Sequence, residues 1–102
     1  MYARTSIRDV FRKLKASNGD YLLAFGVGEF FEFRYCDADA IHAAFPDVML
    51  DREAEYSRVI VHNLGFFPLV ARLKARGLKV AVVERSVRNN KVSYRIGLRS
   101  DD

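Results

Sequence analysis

The sequence predicts an α/β (α+β) domain, a mixed β-sheet of about five or six strands flanked by three helices. Three observations point to it. Apolar residues recur at helical spacing near the N-terminus and again over residues 66–76. Short runs rich in β-branched and aromatic residues lie between and after these stretches. The segments 21–27 and 78–83 are almost continuously apolar, the pattern of strands covered on both faces.

Each element has its own local reason. Ser6 has the chemistry of an N-cap, with Asp9 three positions on where a capping box usually has Glu. Ile7, Val10, Phe11 and Leu14 then form one helical stripe, and Asn18-Gly19 ends it. Residues 21–27 read as a buried strand, and Gly26 and Gly28 mark a tight turn at its end. Residues 30–35 alternate: Phe31, Phe33 and Tyr35 point one way, Phe30, Glu32 and Arg34 the other. Phe30 therefore falls on the polar side of its own strand, which is unexpected for a phenylalanine. Residues 37–45 read as a helix with Asp37 and Asp39 in its first turn, stopped before Pro46. Residues 48–50 read as a short strand, 51–55 as an acidic exposed turn, 58–62 as a strand and 63–65 as a turn. A helix follows over 66–76, with Leu69, Val70 and Leu73 inward, Pro68 in its first turn and Gly77 as its cap. Residues 78–83 form an interior strand, 88–91 a polar turn and 92–98 a last strand.

Composition excludes several classes. The chain has 102 residues, with no low-complexity linker and no internal repeat, so one domain spanning 1–102 is expected. Half the residues are hydrophobic and 29% are charged, which is not the composition of a disordered chain. A single cysteine, Cys36, rules out an internal disulfide framework and a Cys-rich zinc site. No run approaches the roughly 18 apolar residues of a membrane span, and the charged N-terminus lacks a signal-peptide core, so a cytoplasmic protein with no membrane partner is expected. His42 and His62 have no second ligand at metal spacing. The acids Asp37/Asp39 and Asp51/Glu53/Glu55 read as helix-start charges and a solvated turn. No paired acids precede a Glu-x-Lys strand as in metal-dependent nucleases, and Cys36 has no activator nearby. No catalytic residue, metal or cofactor is expected.

Charge is unevenly spread. Residues 1–35 carry six basic and four acidic groups (+2), residues 36–57 one and six (−5), and residues 58–102 ten and three (+7). Lys13 and Lys15 in the first helix, and Arg85, Arg88, Lys91, Arg95 and Arg99 near the C-terminus, are candidate phosphate contacts. Scattered around the fold, the same residues would be ordinary solubility charges.

A resemblance sharpens the reading. Gly28-Glu29-Phe30-Phe31-Glu32-Phe33 resembles the Gly-Asp-Phe-Tyr-Glu-Leu motif of the N-terminal, mismatch-recognition domain of the MutS family of DNA mismatch-repair proteins. Leu14-Lys15-Ala16 and Leu22-Leu23 fall at the family's positions upstream. Tyr35, Asp37 and Ala38 match the start of its next helix. Leu73, Gly77, Val80-Ala81-Val82 and Glu84 match its later helix and strand, and Arg95-Ile96 its last strand. The similarity covers residues 10–98 and implies the fold of that domain. It also implies a DNA partner, mismatched or single-stranded, and one wedge with a few phosphate contacts would bind it weakly. Phe30 would be a wedge entering the base stack from the minor groove, and Glu32 would hydrogen-bond the displaced base. The alternation of residues 30–35 independently places Phe30 and Glu32 on one side of the strand. Core packing of Phe30, and pairing of Glu32 with Arg34 or Arg95, stay open at this level.

Two departures accompany the resemblance. The family's Pro-Met-x-Gly-(Ile/Val)-Pro-x-His-Ala segment, part of its DNA-facing surface, is replaced by Ser57 to Gly65. No Gly-rich phosphate loop ending in Lys-Ser/Thr is present, and 102 residues leave no room for the family's clamp and ATPase domains. A partner protein would have to supply them. The expectation is a non-enzymatic DNA-binding module; the alternative is an adaptor of a DNA-processing complex that kept the fold and lost mismatch recognition.

Overall fold

A computed structural model describes residues 6–52 and 55–101. The elements run α1 (Ile7–Ser17), β1 (Tyr21–Val27), β2 (Phe30–Arg34), α2 (Cys36–Ala44), β3 (Arg58–His62), α3 (Asn63–Ala75), β4 (Lys79–Arg88) and β5 (Lys91–Arg99). One five-stranded sheet has the order β3-β2-β1-β4-β5. β1 lies parallel to β4, and the other neighbours are antiparallel. The expected mixed sheet with three helices is the observed one.

Strand alternation sorts the core into two layers. Leu22, Ala24, Phe33, Val59 and Val80 face α2 and α3, where Ala38, Ile41, Phe66, Leu69 and Leu73 close the larger cluster. Leu23, Phe25, Ala81 and Val83 face Val10 and Phe11 of α1 on the other side. With helices on both faces, β1 and residues 80–83 of β4 are apolar throughout, as their sequences required.

The helix ends follow their local chemistry. Ser6 caps α1, its Oγ accepting the Asp9 N–H at 3.1 Å. Gly77 (φ 77°) ends α3 in a Schellman turn. Its N–H donates to Lys74 O and that of Leu78 to Leu73 O, both at 2.9 Å. The expected turn at 63–65 is instead the first turn of α3. His62 Nδ1 accepts the Leu64 N–H at 3.2 Å, and this cap lets the helix start early, so Pro68 falls in its second turn. Residues 48–50 form no strand. Val48 and Leu50 pack against the core, while Asp51 and Arg58 form one isolated antiparallel bridge. Glu53 and Ala54 of the expected acidic turn lie outside the described residues. β4 runs five residues beyond the expected 78–83, because β5 continues to pair with it after β1 has ended.

Asp37, read from sequence as a helix-start charge, is a structural carboxylate, 2% exposed. The β1–β2 ladder stops at Ala24↔Phe33, and at the next residue of β1 the Leu23 N–H donates to Asp37 Oδ2 at 2.9 Å. Oδ1 takes the Lys15 ammonium at 2.7 Å. One side chain thus ties α1, β1 and α2 together. The chain reaches α2 through Tyr35, whose φ of 56° is rarely adopted by L side chains. The Tyr35 N–H donates to Ser57 O, and its ring sits against Phe11 and Tyr56, with centroids 5.0 and 4.7 Å away. Asp37→Ala leaves the Leu23 amide and the Lys15 ammonium without their acceptor. We expect it to lower unfolding free energy by about 3 kcal/mol, measured by urea denaturation.

Candidate nucleic-acid interface

The β1–β2 hairpin is the natural starting point, because a two-residue turn fixes its register. Val27 pairs with Phe30 across the Gly28-Glu29 turn. Gly28 has φ 60°, the requirement at the first central position of a type II′ turn. From there alternation does the sorting. Phe31 stacks on Phe66 with centroids 3.9 Å apart, and Phe33 is buried. Phe30 points to the opposite face and is 45% exposed, beside Val27 at 48%. Its packing partner across the strands is His62, edge-on at 5.4 Å. The core-packed alternative for Phe30 is thus not the arrangement observed.

Glu32, two residues along the same face, is only 7% exposed. Its Oε1 accepts from Arg34 Nε at 3.1 Å and from the Tyr56 hydroxyl at 2.9 Å. The Arg34 guanidinium lies over the Phe25 ring at 4.2 Å. Glu32 therefore pairs with Arg34, while Arg95 pairs with Glu84 at 3.4 Å. Burial and the bond to Glu32 together raise the Tyr56 phenol above its ordinary value.

The basic candidates divide. Arg85 lines a cleft of about 310 Å³ with Phe25, Gly26, Val27, Gly28, Arg34 and Tyr94, directly beside the hairpin tip. Lys13 lines a second cleft of about 430 Å³, between α1 and β5, which also has Tyr94 in its wall. Arg88 and Lys91 flank the Asn89-Asn90 turn, where φ values of 49° and 62° allow the two-residue reversal. By alternation from Val83, Arg88, Lys91 and Arg95 lie on the other side of the ribbon from Arg85. Lys15 is occupied by Asp37 and the Tyr21 carbonyl. Phe30, Arg85 and Lys13 thus share the α1 face, linked through Val27 and Tyr94. Sequence reading missed Val27, Tyr94, Tyr56 and His62 as neighbours of the site. Val27 was accessible from the hairpin register alone, since a two-residue loop sets it opposite Phe30. Among the described residues, no three His, Cys, Asp or Glu side chains are grouped to hold a metal ion, and no helix is long and apolar enough to cross a membrane.

The family model for MutS domain I matches residues 5–97. The chain belongs to this family. The hairpin motif, the fold and the span of the match agree with one another. A relative, the DNA mismatch repair protein MutS of Chlorobium phaeovibrioides, is 38% identical over 77 residues. That alignment covers 71% of this chain and 9% of the relative, so the chain corresponds to a small fraction of that protein's length.

The Glu32–Tyr56 bond has a pH signature. The folded phenol titrates above its unfolded value of about 10, so its stabilisation is complete below that pH and is lost as pH rises through the higher folded value. Urea unfolding of wild type and Tyr56→Phe at pH 8 and pH 11 is expected to show a gap at pH 8 that narrows at pH 11.

Proposed function

We propose that the chain is a non-enzymatic DNA-binding module that recognises mismatched, otherwise distorted or single-stranded DNA. The observation that supports this most is Phe30, a large aromatic held out at a hairpin tip whose neighbouring phenylalanines are all turned inward. An apolar wedge costs a few kcal/mol of unstacking per base step, and less at a step already weakened, which is the physical basis of selectivity. In this reading Arg85 and Lys13 contact phosphates on the face of Phe30, and Arg88, Lys91 and Arg95 contact the backbone along the ribbon. Lys15 serves mainly to hold Asp37. Glu32 supports the hairpin from beneath through Arg34 and Tyr56, and the base contact implied by family resemblance requires it to leave those partners. One wedge and a few phosphate contacts give weak affinity, micromolar or above. Where an ATPase or a clamp takes part, it comes from outside residues 1–102.

A second reading, an adaptor that docks on protein, is favoured by one observation: Phe67 and Leu98 are well exposed in the lining of an apolar groove between α3 and β5.

Fluorescence anisotropy with matched duplex, G·T-mismatched duplex and single strand, at low and moderate salt, separates the two. Recognition predicts preference for the mismatch or single strand. Phe30→Ala removes that preference, leaves salt-sensitive background binding, and shifts the melting temperature far less than loss of a buried phenylalanine would. Arg88→Ala and Lys91→Ala weaken binding to all three and each lower the salt slope by about 1. Absence of binding to any of them at low salt selects the adaptor.

A further inference from the structure

The proposed wedge raises a physical question: what keeps an exposed ring pointing outward. Phe30 and His62 are directly opposed on β2 and β3. On the adjoining rung the Asn63 N–H donates to Glu29 O at 2.8 Å, so Phe30 and His62 form a non-hydrogen-bonded pair, in which side chains approach most closely. Their rings meet edge to face, with centroids 5.4 Å apart and planes at 86°. This is a favoured geometry for a pair of π-systems.

The imidazole is itself anchored at one nitrogen. Nδ1 accepts the Leu64 N–H at 3.2 Å as the N-cap of α3, which leaves the ring proton on Nε2. Nε2 lies 3.8 Å from Glu29 Oε2, a side chain of the turn that precedes Phe30. His62 is exposed and belongs to neither core cluster. Its contacts are with the helix start, the turn and the Phe30 ring.

We propose that His62 is a positioning residue for Phe30: anchored by the α3 N-terminus, its ring holds Phe30 in the outward orientation from which it enters a base stack. The proposal rests on the DNA-recognition reading for its consequence, but the orientation itself is a property of the free protein.

Two substitutions separate the roles of one side chain. His62→Asn keeps an N-cap acceptor and removes the ring, and His62→Phe keeps a ring and removes the cap. NMR of the free proteins reads the Phe30 χ1 rotamer from scalar couplings and the ring-current shifts of its neighbours. Wild type and His62→Phe are expected to show one dominant rotamer, and His62→Asn an averaged one. Anisotropy then compares mismatched with matched duplex. His62→Asn is expected to lose roughly two- to tenfold of the wild-type preference, the range of an aromatic pair contact. His62→Phe is expected to keep the preference while its melting temperature falls. A single Phe30 rotamer in His62→Asn overturns the positioning role, whatever the DNA result. Averaging in His62→Asn together with no mismatch preference in wild type upholds positioning and overturns the recognition reading instead.

Discussion

The buried Asp37 carboxylate is the constraint from which the geometry of the site follows. It accepts from the Leu23 amide at the place where β2 leaves β1, and from the Lys15 ammonium across the sheet edge. A carboxylate so far from water is tolerable only with charged and hydrogen-bonded partners. Satisfying it fixes α1 against β1 and brings the start of α2 to the same point. The single residue left between β2 and α2, Tyr35, must then take its unusual φ. That turn delivers the chain from β2 to α2, while the Gly28-Glu29 turn and strand alternation decide which side of the sheet Phe30 faces.

Beneath the hairpin, the sheet solves a second problem. α1 packs on β1, β4 and β5, so among the described residues no helix covers the β2 end of that face. Glu32, Arg34, Tyr56 and the Phe25 ring close it with a hydrogen-bonded and cation-π layer instead. Such a layer keeps the strand rigid close to its tip without burying the tip itself. An exposed aromatic at the end of a rigid strand loses little conformational freedom on contact, which is what a wedge requires.

Much of this was legible in the sequence. The alternation of Phe30 to Arg34 gave the correct sidedness, Gly77 its cap, and the Asn89-Asn90 pair its turn. Tyr35, expected on the side of Phe31 and Phe33, packs instead against Phe11 of α1, because its φ of 56° ends the strand alternation. The family motif and the fold agreed. What the sequence hid were long-range partners. Asp37 looks like any first-turn acid until Leu23 and Lys15 meet it. Lys15 looks like a free cation until the same contact is drawn. The 63–65 segment reads as a turn because histidine is outside the usual N-cap set, yet His62 Nδ1 performs that function. Residues 48–50 read as a strand because packing on a core and pairing in a ladder demand the same side chains. The arrangement around Phe30 needed His62, Tyr94 and Arg85, which come from three different strands.

The ribbon formed by the ends of β4 and β5 has a consequence for the energetics of the chain. From Glu84 to Arg88, β4 pairs with β5 alone, and every residue of that stretch is exposed. A two-stranded ribbon with one strand wholly exposed is marginal in water, so its hydrogen bonds belong to the low-stability end of the fold and open without global unfolding. Arg85, Arg88 and Lys91 ride on this segment. Contact with a polyanion would therefore perform two tasks at once, neutralising charge and shifting a local opening equilibrium toward the closed form. Part of the ordering entropy would then be charged to the encounter rather than to folding, lowering affinity while letting the ribbon conform to backbones of differing curvature.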